Sequence, residues 1–164
     1  MSVDSADLFL PHGADPRCLL LRSDADADAP ATIAAVQQAS VVLLGMPEPN
    51  PFARVRALRR IDSRCLLVQL PLYSGRSGVV DLCTDATFVP QPAGWHRIAS
   101  SPDDEVKAAE YRDSLFDLIV GFSDDLGDAV LQGKPAPASM IYEALRLAIA
   151  ARVVAPVLLA ATSD

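Results

Sequence analysis

The amino-acid sequence predicts an α/β fold: a small, trimmed parallel sheet of the Rossmann or flavodoxin kind, followed by a carboxy-terminal helical hairpin. Three observations predict it. The apolar runs at residues 41–44 and 66–70 are continuous rather than alternating, as in strands buried on both faces. A segment with helical spacing, residues 52–61, lies between them, and strands alternating with helices imply parallel pairing with crossover helices. After Pro102 the pattern becomes helical throughout.

The elements follow in order. Residues 1–16 form an arm punctuated by Pro11, Gly13 and Pro16. The α/β core spans 17–102, and the helical hairpin spans 103–164. Cys18, Leu19, Leu20 and Leu21 begin a first strand, and the acidic stretch at 23–29 is a loop. Pro30 starts a helix that runs through Gln38, since proline fits the first helical position. Pro47, Pro49 and Pro51 forbid regular structure after the strand at 41–44. Phe52, Val55, Leu58 and Ile61 then recur on the inner face of the next helix. The strand at 66–70 is followed by a break at Gly75 and Gly78, a short element at 79–83 and a last strand at 87–89. Val106, Leu115, Leu118, Ile119, Phe122, Leu126 and Val130 make one long apolar stripe. The run Gly133-Lys134-Pro135-Ala136-Pro137 stops that helix, and a second one covers 139–154.

Composition narrows the function. The chain has 164 residues, 51% of them hydrophobic, enough for a sizeable core. Its net charge of −7 does not suit general binding to nucleic acid or to an anionic membrane. Arg54, Arg56, Arg59, Arg60 and Arg64 are the local exception and read as the wet side of one helix. Cys18, Cys65 and Cys83 are too scattered for a disulfide framework, so a reducing, cytoplasmic setting is expected. The opening residues lack a secretory apolar region. The apolar run at 144–161 holds Arg146, Arg152 and Pro156, so it reads as a buried or docked helix rather than a membrane span.

Residues 41–98 carry a resemblance. VVLLGMPEPNPF, VRALRRID, YSGRSGVVDL and DATFVPQPAGWHRI are similar to the second half of a response-regulator receiver domain. Aligned on that family, the phosphate-acceptor position is Gly45, the hydroxyl position Pro71 and the lysine position Gln91. Phe88 falls on the switch aromatic, and Asp24 and Asp26 fall where Mg²⁺ is held. The resemblance thus implies a pseudo-receiver unable to take phosphate, because the carboxylate nucleophile and the cation that phosphoryl transfer needs are missing. A second, weaker resemblance joins SRCLLVQLPLYSGRSGVVDL and the segment from Tyr111 to Ala151 to the carboxy-terminal part of the Gfo/Idh/MocA oxidoreductases. It implies a remnant without the dinucleotide-binding glycine turn.

The leading expectation is therefore a non-catalytic interaction module, without cofactor or metal, that docks a protein partner or a second copy of itself. Trp95, Leu115, Leu118, Phe122 and Leu126 are its expected contact residues, since surplus apolar surface marks interfaces. The alternative is a small enzyme or ligand binder with Arg76, Ser77 and His96 at the carboxyl ends of the strands. Ser77 and His96 lack a nucleophile elbow, and two distant histidines do not form a zinc site. A nucleic-acid role for the arginine helix is a third reading, disfavoured by the charge.

Overall fold

The computed structural model describes residues 18–21, 26, 28–46, 50–73, 77–92 and 94–161. The expected arm, most of the acidic loop with Asp24, and Arg76 lie outside the described residues.

The described residues form two four-stranded sheets. The first is parallel, in the order β1-β2-β8-β3, built from Cys18–Leu21, Val41–Met46, Ala155–Ala161 and Cys65–Leu67. The second is antiparallel, with β4 (Gln69–Pro71), β5 (Val79–Asp81), β6 (Ala86–Gln91) and β7 (Gly94–Ile98) in sequence order. Parallel strands buried on both faces were expected at 41–44 and 66–70, and both runs contribute to the parallel sheet. They are not neighbours, however. The last strand, β8, lies between them, with Leu44 opposite Leu159 and Leu67 opposite Val157. The strand expected at 87–89 belongs to the antiparallel sheet instead.

One residue switches the chain between sheets. Val68 donates its N–H to Val157 in β8, continuing the parallel ladder, but its carbonyl accepts from Leu82 beside the antiparallel sheet. That diversion would orphan the next donor of β8, and a buried unpaired N–H is expensive. The side chain of buried Gln69 fills the gap, Oε1 accepting the Leu159 N–H at 3.0 Å.

Pro156 sits in a central strand, an unusual place for a residue with no N–H. β8 pairs with β2 only from Val157 onward, so Pro156 precedes that ladder. The bonds toward β3 are made by its neighbours, Ala155 donating to Arg64 and Val157 accepting from Val68.

The first two helices are α1 (Pro30–Gln38) and α2 (Pro51–Ile61), and both open with proline in the first turn. Asn50 caps α2 by accepting the Ala53 N–H at 3.0 Å. Arg64 donates to the Asp62 carboxylate and to the Gln37 carbonyl, tying the α2–β3 turn to the end of α1. The guanidinium holds the Asp62 carboxyl below the usual carboxylate range. With the folded pKa depressed, this contribution is present above the unfolded pKa and is lost as pH falls through it toward the folded value. Asp62→Asn should therefore lower stability by about 1 kcal/mol at pH 7 and by much less near pH 3, read as urea midpoints at the two pH values.

Beyond the second sheet come α3 (Pro102–Ile119), a 3₁₀ turn (Val120–Phe122), α4 (Asp124–Leu131) and α5 (Ala138–Ala150). α3, the 3₁₀ turn and α4 all pack on α5, burying Leu115, Ile119, Leu126, Ile141 and Leu145. The single long helix expected through Val130 is broken at the 3₁₀ turn, where Ser123 caps α4 by accepting the Leu126 N–H. The helix expected over 139–154 ends at Ala150, and the apolar run beyond it is strand β8.

Candidate functional site

Ser77 and His96 are both exposed, but the fold keeps them apart. Ser77 precedes β5 and His96 lies on β7, with β6 between those strands. Two strand spacings, roughly 10 Å, separate such positions. Ser77 leads into the antiparallel sheet and His96 lies within it.

The expected contact residues divide. Leu115 and Leu126 are fully buried in the chain's own core. Trp95 and Phe122 are half-buried and pack against that core, and Leu118 is 43% exposed.

Buried ionisable groups hold turns. Asp81, in β5, accepts from the backbone N–H of Cys83 at 2.8 Å and of Thr84 at 2.9 Å, closing the β5–β6 turn. Burial raises its pKa, opposed by these two backbone hydrogen bonds. At the end of the same turn Asp85 ion-pairs with Arg112 of α3, whose guanidinium lies 5.6 Å from the Phe116 ring centroid. Asp104 accepts the Tyr73 N–H at 2.8 Å and the Ser101 hydroxyl at 2.6 Å, while Ser101 accepts the Asp104 N–H. Ser101 thus caps α3, and the Asp104 carboxylate fixes the chain leaving β4. Burial pushes the Cys65 thiol up to about 11 and raises Cys83 as well, so neither is a ready thiolate nucleophile. Among the described residues no three histidine, cysteine or carboxylate side chains gather as a metal site.

Among the described residues two clefts flank α2. One, of about 420 Å³, lies toward α1 and is lined by Asp28, Ile33, Gln37, Ala57, Arg60 and Ile61. The other, of about 220 Å³, lies between α2, β3 and α3. Phe52, Val55, Leu66, Leu67 and Tyr111 give it an apolar wall, with Arg56, Arg59 and Ser114 beside them. The Phe52 and Tyr111 ring centroids are 5.7 Å apart. The helical period predicted the inner face of α2 and its arginine-bearing wet side. It gave no sign that Tyr111 and Ser114 come to the same place, because that depends on how α3 packs. The Ser101-x-x-Asp104 pattern was a readable cap, whereas nothing local marks Gln69 or Asp81 as tertiary anchors.

The fold and these clefts define a two-sheet α/β unit with appended helices, and the comparisons place it among known proteins. No protein-family model matches the chain. It is 33% identical over 114 residues to a Syntrophus aciditrophicus protein named elongation factor G 1, a match covering 66% of this chain and 16% of that protein. A crystal structure of a Thermus thermophilus protein matches at a TM-score of 0.67 and 19% identity, covering 87% of this chain and 23% of that one. The chain thus spans less than a quarter of either relative, and the second likeness speaks for the fold alone.

These findings overturn both the pseudo-receiver and the Gfo/Idh/MocA resemblances. The sequence likeness found is to elongation factor G, and the topology breaks the constellation on which the receiver reading rested. Gly45 lies in β2 of the parallel sheet, whereas Pro71 and Gln91 lie in β4 and β6 of the antiparallel one. Short apolar strands with glycine and proline turns, the basis of both alignments, recur in many α/β folds. Among the described residues no helix is long and apolar enough to cross a membrane.

Proposed function

We propose that this chain is a docking domain acting in translation elongation, corresponding to one part of an elongation-factor-G-like protein rather than to a self-standing catalyst. The observation that carries this reading is the likeness over 114 residues to elongation factor G 1. The geometry supports the non-catalytic half of it, since Asp81 and Asp104 are engaged in turns and caps. Such a role is cytoplasmic.

The docking surface follows from charge. Asp113 and Asp117 on α3, and Asp124, Asp125 and Asp128 on α4, are exposed. Carboxylates in such number repel nucleic-acid phosphates and attract a basic protein surface. A ribosomal protein rather than ribosomal RNA is therefore the natural partner of this face. The purified chain should sediment with ribosomes at low salt and be released as salt rises, and Asp124→Lys with Asp125→Lys should weaken the association several-fold. A chain that stays in the supernatant at low salt would defeat the proposal.

A further inference from the structure

We infer that the cleft between α2, β3 and α3 binds a small phosphate monoester: one phosphate on a short apolar or single-ring body. The chain carries 21 acidic and 14 basic residues, yet the lining of this cleft contains Arg56 and Arg59 and no carboxylate. The neighbouring cleft differs, balancing Arg60 with Asp28. Arg56 and Arg59 are three apart on α2, so their side chains share a face. Neither has an ion-pair partner among the described residues. Two guanidiniums on a cleft wall that has no carboxylate among the described residues form a focus of positive potential, and their forked donors match a phosphate dianion.

The rest of the lining sets the body of the ligand. Phe52 and Tyr111 present two aromatic rings, and Val55, Leu66 and Leu67 extend the apolar wall. Such a mixture, mostly apolar with a few convergent polar groups, is what small-molecule sites show. The volume of about 220 Å³ sets the size. Sites for drug-sized ligands run from about 300 Å³ upward, so this one takes a phosphate with a small attachment.

The full chain is titrated by calorimetry with phenyl phosphate, inorganic phosphate and phenol. Phenyl phosphate should bind tighter than inorganic phosphate, and phenol should not bind measurably. The double variant Arg56→Ala, Arg59→Ala should lose about tenfold or more in affinity for phenyl phosphate. Both arginines are exposed, so the variant's thermal midpoint should stay close to that of the parent chain. A Phe52→Leu variant supplies a second reading, since it should weaken phenyl phosphate while leaving inorganic phosphate unchanged. Equal affinities for phenyl and inorganic phosphate, or an unaltered affinity in the double arginine variant, would overturn the inference. A phosphotyrosine peptide that binds much tighter than phenyl phosphate would overturn it in favour of a protein partner. Ribosome sedimentation is read separately, so either proposal can fail alone.

Discussion

Truncating Leu159 to alanine is expected to destabilise the protein by about 3 kcal/mol, lowering the urea midpoint without changing the slope of the transition. Leu159 is fully buried in β8, opposite Leu44, in the middle of the parallel sheet. On one side β2 is laddered to β8 and on the other the Gln69 side chain holds the strand, so the surroundings cannot collapse into the space left behind. The backbone N–H of the same residue is the one held by Gln69. That bond would survive in the alanine variant, which separates the packing contribution from the switch between sheets. Leu147, on α5, is the control: it is 42% exposed, and its alanine variant should fall within about 0.5 kcal/mol of the parent. If residues 155–161 formed an exposed helical tail instead, the two leucines would behave alike.

That strand shows where sequence reasoning reached its limit. The first half of the chain was legible because short-range signals agree there. Pro30 and Pro51 open helices, Asn50 offers a cap, and the run at 41–44 is too short and too apolar for anything but a strand between them. Residues 144–161 carry no such agreement. A continuous apolar run satisfies a buried helix and a buried strand equally, and periodicity alone cannot separate them. The signal that α5 ends lies in Ala151 to Val153, exposed residues in which Arg152 takes a positive φ of 57°, a conformation the residue name does not announce. The second sheet was missed for a different reason. The run from Leu66 to Leu70 reads as one strand, yet it serves two sheets. What divides it is where the Val68 carbonyl and the Gln69 side chain find partners, Leu82 nearby in the fold and Leu159 far along the chain. The break at the 3₁₀ turn, by contrast, was within reach: Ser123 followed by Asp124 and Asp125 is a cap with an acidic first turn. The candidate cleft was half legible. Its arginines and Phe52 could be placed on α2 from spacing, but Tyr111, Ser114, Leu66 and Leu67 join them only through tertiary packing.

The second large effect is expected at Gly78, where Gly78→Ala should destabilise the fold by about 3 kcal/mol. The residue leads into β5, and its carbonyl accepts the Leu72 N–H. Its φ is +155°, a value that residues with a Cβ rarely adopt. A methyl group there would lie 2.7 Å from the Phe88 carbonyl oxygen and 2.7 Å from Leu72 Cδ1. The oxygen is backbone in the adjacent strand, and Leu72 is itself buried, so neither obstacle can swing aside. Strain and overlap therefore add. Gly127 provides the opposite case within the same protein. It lies inside α4, and an added Cβ would meet only ordinary contacts with Val120 at 3.9 Å. Gly127→Ala should stabilise by about 0.7 kcal/mol, since alanine loses less backbone freedom in a helix. Thermal midpoints moving in opposite directions for the two glycine-to-alanine changes would establish that Gly78 is held by its contacts and its φ. If both variants shifted the same way, the tight approach of β5 to Phe88 would not be a feature of the folded protein.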